Sequence, residues 1–415
     1  MKLRNLLLAL FCLLVFAGFG FLYVTNWVVQ RPFGIILFIS DGMVSRHLTA
    51  ARLYEGGADH RLAIESLPRV ALLKNAARDF AVPDAAAAAT AIATGVKVNH
   101  RVLSVGSNGE RLPTILDLAA RGSRSVGLIT TGSLAAPGAA AFFAHRADSR
   151  DPAANAANAA DLLSASTLDV VLGGGAADFL PQAQGGLRPD GRDLLAELQK
   201  SGRELVRTKA ALENASSYRS RSLVGVFSMG PMAFGSQIES GSEQPSLPDM
   251  VRRAIECLQT NRKGYVLIVD AALITGAAER NEGEQVITET LALDRAIATA
   301  RRYAGERSLI LAVGRLATGG MALSGYPQRQ DHGVALLGTN ASGQPAITWA
   351  TGPNGPATGA EQKSPGGRSE PAAYQTPSAL NTAEDVLAVG TGPGSERVQG
   401  FLDNTDIFRI LQDAL

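Results

Sequence analysis

Seven short, unbroken apolar runs recur along this chain, and they constrain its fold more than any other feature. They are Gly34–Ile39, Ser125–Thr130, Asp169–Leu172, Leu223–Phe227, Tyr265–Val269, Ser308–Val313 and Asp385–Val389. A strand with one wet face alternates apolar and polar residues. A continuous apolar run of this length is what a strand buried on both faces requires. Helical patterns lie between several of the runs, at Ile115–Arg121, Arg192–Ser201, Pro248–Thr260 and Gln285–Tyr303. Strands alternating with helices predict an α/β sandwich around a mostly parallel sheet. Functional loops then gather beyond the carboxyl ends of the strands. The stretch Asn340–Gln375, rich in Gly, Pro, Ser and Ala, reads as long surface loops. The Gly173–Gly175 triplet follows a strand without a GxGxxG or P-loop pattern, so it reads as a tight turn and not a nucleotide site.

The N-terminus is of a different kind. After Lys2 and Arg4, the run Leu6–Val29 carries no charge and only Thr25 and Asn26 as polar residues near its end. About 20 apolar residues in a helix span the hydrocarbon core of a bilayer. The run exceeds the 7–15 apolar residues of a cleaved leader, and Ala17-Gly18-Phe19-Gly20 is a weak cleavage site. Residues 1–30 are therefore expected to be an uncleaved membrane anchor and residues 34–415 the main domain. Lys2 and Arg4 predict a cytoplasmic N-terminus and an extracytoplasmic domain, with Tyr23 and Trp27 at the interface.

The 415 residues carry a formal charge of +1, which gives no electrostatic reason to expect a nucleic-acid partner. The two cysteines, Cys12 and Cys257, lie in unrelated segments and predict no internal disulfide. His47, His60, His100, His145 and His332 are scattered, without HxH or HExxH spacing, and read as surface or hydrogen-bonded core residues.

Leu37-Phe-Ile-Ser-Asp-Gly-Met43, an apolar strand ending in Asp-Gly-Met, resembles the first metal-binding strand of alkaline phosphatases. Further segments follow in matching order. Thr49–Tyr54 resembles the next helix, Val82–Ala91 with Thr94–Lys97 the nucleophile segment, and His145–Arg150 the segment of the phosphate-binding arginine. Asp169–Gly175, Pro245–Leu247, Thr382–Val386 and Gly390–Pro393 continue the series. The resemblance implies a three-layer α/β/α sandwich with a central sheet of about ten strands. It also implies chemistry in which two zinc ions and usually a magnesium ion activate a serine that becomes phosphorylated.

The residues needed for that chemistry depart from the family pattern. The nucleophile position, after Asp84, is Ala85. Thr90 lies more than a turn further on and reads as a packed helical residue. Asp41 is kept, but a ligand pair two residues apart falls on Ala136 and Gly138. After Tyr265–Val269, where the family carries a glutamate, an aspartate and a histidine, stand Asp270, Thr275 and Glu279. An Asp-His pair is replaced by Arg315-Leu316, and the last zinc histidine by Asn381. Asp331-His332 follows a polar segment and reads as a loop pair.

The resemblance thus implies a degenerate pocket formed by Asp41, Asp84, Ala85, Arg150, Asp270, Thr275, Glu279, Arg315 and Asn381. No active catalytic residue and no cofactor are expected in it. Zinc is not expected without histidine or thiolate ligands. Asp41, Asp270 and Glu279 are the residual candidates for at most one Mg²⁺ or Ca²⁺ ion. Arg315 is expected to pair with Asp41 in place of a cation. The leading expectation is an inactive membrane-anchored domain that binds a partner or helps assemble an envelope complex. The alternatives are a phosphate or sulfate ester hydrolase with altered metal use, and an anion sensor using Arg150 and Arg315.

Overall fold

The computed structural model describes residues 2–26, 32–150, 153–165, 167–216, 222–323, 345–356 and 370–415. The pair Asp331-His332 and Trp27 lie outside them. The chain divides into two units, Met1–Pro32 and Phe33–Leu415. In the first, Lys2–Asn26 forms one helix, and its stretch Leu3–Gly20 is long and apolar enough to cross a membrane.

In the second unit the strands in chain order are β1 Gly34–Ser40, β2 Arg69–Lys74, β3 Ser125–Ser133, β4 Val170–Gly174, β5 Glu204–Val206, β6 Leu223–Val226, β7 Tyr265–Asp270, β8 Leu309–Gly314, β9 Ala317–Thr318, β10 Ala322–Leu323, β11 Ile347–Gly352, β12 Ala372–Gln375, β13 Asn381–Thr382, β14 Val386–Thr391 and β15 Gly400–Asp403. Ten of them form one sheet in the order β15-β2-β14-β8-β1-β7-β3-β4-β6-β5. Of these ten, β14 alone runs against the rest. β1 lies between β7 and β8 in parallel register, with Ile39 opposite both Asp270 and Val313. This register brings Asp41, Asp270 and Arg315 to the same end of three adjacent strands.

The unbroken apolar runs are buried on both faces, as β1, β7 and β8 show along their whole lengths. One face packs under the helices Ala85–Thr94, Ile115–Arg121, Ala154–Ser164, Leu194–Lys200 and Asn404–Asp413. The other packs under Ser45–Gly56, Leu247–Leu258 and Gly283–Ala304. The architecture is a three-layer α/β/α sandwich.

Within Asn340–Gln375, expected to be loops only, β11 and β12 join β10 in a three-stranded sheet. Ile347 and Trp349 alternate inward and are buried there, and the Trp349 indole N–H donates to Glu370 at 2.9 Å. Among loop-forming neighbours, this brief alternation outweighs the local Gly and Pro content. Gly173 and Gly174 end β4, and Gly175 follows at φ +91°, where a side chain would strain the turn.

Candidate active site

β1 ends at Ser40, and the chain turns at Asp41-Gly42. Asp41 is 2% exposed. Arg315, directly after β8, is 3% exposed and donates from Nε to Asp41 Oδ1 and from Nη2 to Asp41 Oδ2, both at 2.6 Å. This is the fork-to-fork geometry that makes arginine–carboxylate pairs strong. The Arg315 backbone N–H also donates to Ser40 O at 3.0 Å, so the strand pairing itself delivers the side chain.

The third guanidinium nitrogen, Nη1, stands 3.3 Å from Asp270 Oδ1 as an ion pair without hydrogen-bond geometry. Asp270 ends β7 and accepts from Thr130 Oγ1 at 3.0 Å. Thr275, in the first turn of the helix Leu273–Glu279, donates to Asp41 Oδ2 at 2.5 Å. One cation is thus held between two buried carboxylates. Burial pushes the Asp270 carboxyl above the usual range; Arg315 pulls it down and Asp41 pushes it further up. Burial opposes the charged form of Arg315, but Asp41 and Asp270 outweigh it and raise the guanidinium pKa. Glu279, at the end of the same helix, is exposed at its edge but has its carboxyl partly screened from water; this partial burial, and then Asp41, raise it.

Gly138 lies against Arg315. A β-carbon at this position would fall 2.2 Å from Nη1 and 2.9 Å from Cζ, so the arginine fits only because residue 138 has no side chain. Gly138 and Ala136, at the start of the short helix Pro137–Ala140, contribute no side-chain ligand atom.

The other site positions hold the backbone in place. Asp84 caps the helix Ala85–Thr94, accepting from Ala87 N–H at 2.9 Å and from Arg101 N–H at 2.8 Å. Ala85 is the first residue of that helix, where a phosphate would be favoured, but it presents only a methyl group. Thr90 is fully buried and accepts from Ser104 N–H at 3.0 Å. Asn381 donates to Pro83 O and accepts from Thr318 Oγ1, both at 3.1 Å, tying the loop before Ala85 to the β9–β13 ribbon. Arg150 is exposed, with its backbone N–H on Asp148, whose carboxylate also pairs with Arg101. The structure therefore brings Asp41, Asp270, Thr275 and Arg315 together, and uses Asp84 and Asn381 as fasteners. Thr130 and Gly138 complete the cluster. Thr130 was legible only as a hydroxyl at the end of an apolar run, and nothing in the sequence marks Gly138 as the space for an arginine.

The donor set does not fit a zinc pair. The inner edges of both carboxylates face Arg315, and the remaining oxygens come from threonines. Among the described residues, no three His, Cys, Asp or Glu side chains converge. His47 is buried beside Gly42, its pKa lowered to about 4 by burial and then by Arg46. His100 and His145 bond to backbone carbonyls of Val82 and Leu112.

The fold is shared with solved alkaline phosphatases. The alkaline phosphatase of the Antarctic bacterium TAB5 superposes with a TM-score of 0.72 at 20% identity, covering 92% of this chain and 98% of the other. That of Thermus thermophilus gives 0.73 at 24% identity, covering 93% and 92%. The alkaline phosphatase family profile matches residues 34–415, and the chain belongs to that family. Among its relatives, alkaline phosphatase 4 of Bacillus subtilis is 27% identical over 91% of this chain and 88% of its own length. The tissue-nonspecific isozyme of Gallus gallus is 28% identical over 88% and 81%.

Proposed function

We propose that this protein is a catalytically silent member of the alkaline phosphatase family, held at a membrane by its N-terminal helix, whose domain serves binding or assembly. The observation that carries the reading is the bidentate grip of Arg315 on Asp41, with Asp270 on its other side. A metal ion drawn to these carboxylates would have to displace a buried guanidinium, and the pocket supplies neither histidine nor a serine nucleophile at residue 85. Arg315 also has its charge committed to carboxylates, which disfavours an anion sensor centred on it. The helix Lys2–Asn26, apolar over Leu3–Gly20, supports membrane association, which we extend to an uncleaved anchor with Lys2 and Arg4 on the cytoplasmic side, the domain on the outer side and an envelope complex as its setting.

Family membership along almost the whole domain favours the second reading, hydrolysis of phosphate or sulfate esters through one cation on Asp41, Asp270 and Glu279. Purified full-length protein assayed with p-nitrophenyl phosphate and p-nitrophenyl sulfate, with added Zn²⁺ and Mg²⁺, separates the two. Silence predicts background rates, unchanged by Asp41→Ala. Metal-dependent turnover that disappears in Asp41→Ala establishes the hydrolase instead.

A further inference from the structure

On the face of the sheet away from Ala85, a pocket of about 360 Å³ opens between the helices Gly235–Glu239, Leu247–Leu258 and Gly283–Ala304. Its volume lies in the range of small-molecule sites, about 300–1,000 Å³. Met232, Ile238, Leu247, Leu273 and Ala292 give it an apolar lining. Into this lining projects Glu289, only 5% exposed. Its Oε1 accepts from Gly235 N–H at 2.6 Å. Among the described residues, its second oxygen meets no donor.

Among the described residues, the cations that line or border the pocket are engaged elsewhere. Arg295, two residues after Leu293 on the same helix, pairs with Glu239 across the pocket at 2.9 Å and with Glu55 at 3.5 Å. Lys209 pairs with Asp249 at 2.9 Å. Arg280 lies over the Phe234 ring and pairs with Glu282. The three cations are thus matched by carboxylates one for one or better, and Glu289 is the surplus. A buried carboxylate with a single hydrogen bond is costly. The uncompensated charge in the pocket is negative, its walls mix an apolar patch with the paired polar groups at its rim, and one acceptor is open.

We propose that this pocket binds an organic ammonium with a compact apolar body, its nitrogen on the free oxygen of Glu289. The proposal is independent of whether the Asp41–Arg315 site is silent. The two sites adjoin through β3: Thr130 holds Asp270, while the Thr131 hydroxyl accepts from Leu273 N–H at 3.1 Å under the pocket. Burial, with a smaller push from Glu239, raises the Glu289 carboxyl to about 7 in the empty pocket, so the ammonium must compete with a proton.

The test is calorimetric titration of the full-length protein in detergent with 2-phenylethylamine, and with 2-phenylethanol and phenylacetate as neutral and anionic counterparts of the same shape. Saturable binding of the amine is expected, with both counterparts at least tenfold weaker. Affinity for the amine should fall close to tenfold per pH unit below about pH 7 and level off above it. Glu289→Gln should weaken the amine at least tenfold and remove the pH dependence. Ala292→Phe, which fills the pocket and leaves Glu289 in place, should abolish binding, and it decides the matter should the glutamine variant not fold. Equal affinity for amine and alcohol, amine binding that survives Ala292→Phe, or no saturable binding overturns the proposal.

Discussion

Nη1 of Arg315 lies where a side chain on residue 138 would have to begin: a β-carbon built on Gly138 comes within 2.2 Å of it. The absence of a side chain at one position and the presence of a buried cation at another form one steric unit. The guanidinium cannot swing away freely, because two of its nitrogens are fixed on Asp41.

Gly138→Ser should therefore destabilise the domain by about 1–3 kcal/mol, as overpacking of a dense interior does. In an Arg315→Ala background the same change should cost much less. Urea unfolding of the two single variants and the double variant gives the coupling, expected on the order of 1 kcal/mol or more. Additive effects contradict the contact.

Arg315→Ala should cost about 3–5 kcal/mol at neutral pH, because it leaves Asp41 and Asp270 buried without their cation. Protonation relieves uncompensated carboxylates, so the deficit relative to wild type should shrink as the pH is lowered from 7 to 5. Urea midpoints at the two pH values check both statements. A variant as stable as wild type at pH 7 removes the structural role of the pair.

Glu289 gives a pH dependence of the opposite kind to that of an ion-paired carboxylate. Its pKa is raised from 4.5 to about 7 by burial, so the folded state binds the proton more tightly than the unfolded state. Its contribution favours folding at low pH and is lost as the pH climbs from about 4.5 through 7, by on the order of 3 kcal/mol in all. Glu289→Gln should then gain stability relative to wild type across that window and no further above it. A constant difference between pH 5 and pH 8 contradicts the assignment.

Ala85→Ser restores a hydroxyl at the N-terminus of the helix Ala85–Thr94 but not the groups that would activate it. Turnover of p-nitrophenyl phosphate by this variant should stay at background with Zn²⁺ and Mg²⁺ present. A rate that rises with metal concentration shows that the site retains a working cation position.

The strands buried on both faces were legible because burial on both sides leaves no polar position to blur the pattern, as in β1, β7 and β8. β2, β5 and β15 were not. They lie at or next to the sheet edges, where a half-exposed strand such as Arg69–Lys74 mixes Val70 and Leu72 on the wet side with Ala71 and Leu73 inside. At the site, the expected departures from the family pattern rest on the resemblance, position by position. The meeting of Arg315 with Asp41 followed from strand order and register, since neither residue is near the other in the chain. The fit of Arg315 over Gly138 depends on a loop approach of a few ångströms, which no periodicity encodes.

Arg315 is proposed to stand in place of a metal ion between Asp41 and Asp270. Metal content of the full-length protein after dialysis against Zn²⁺ and Mg²⁺, read together with its melting temperature before and after EDTA, tests it most directly. Well below one equivalent of bound metal is expected, with a melting temperature that chelation does not change. One or more equivalents of zinc, lost in Asp41→Ala and needed for the wild-type melting temperature, would contradict it.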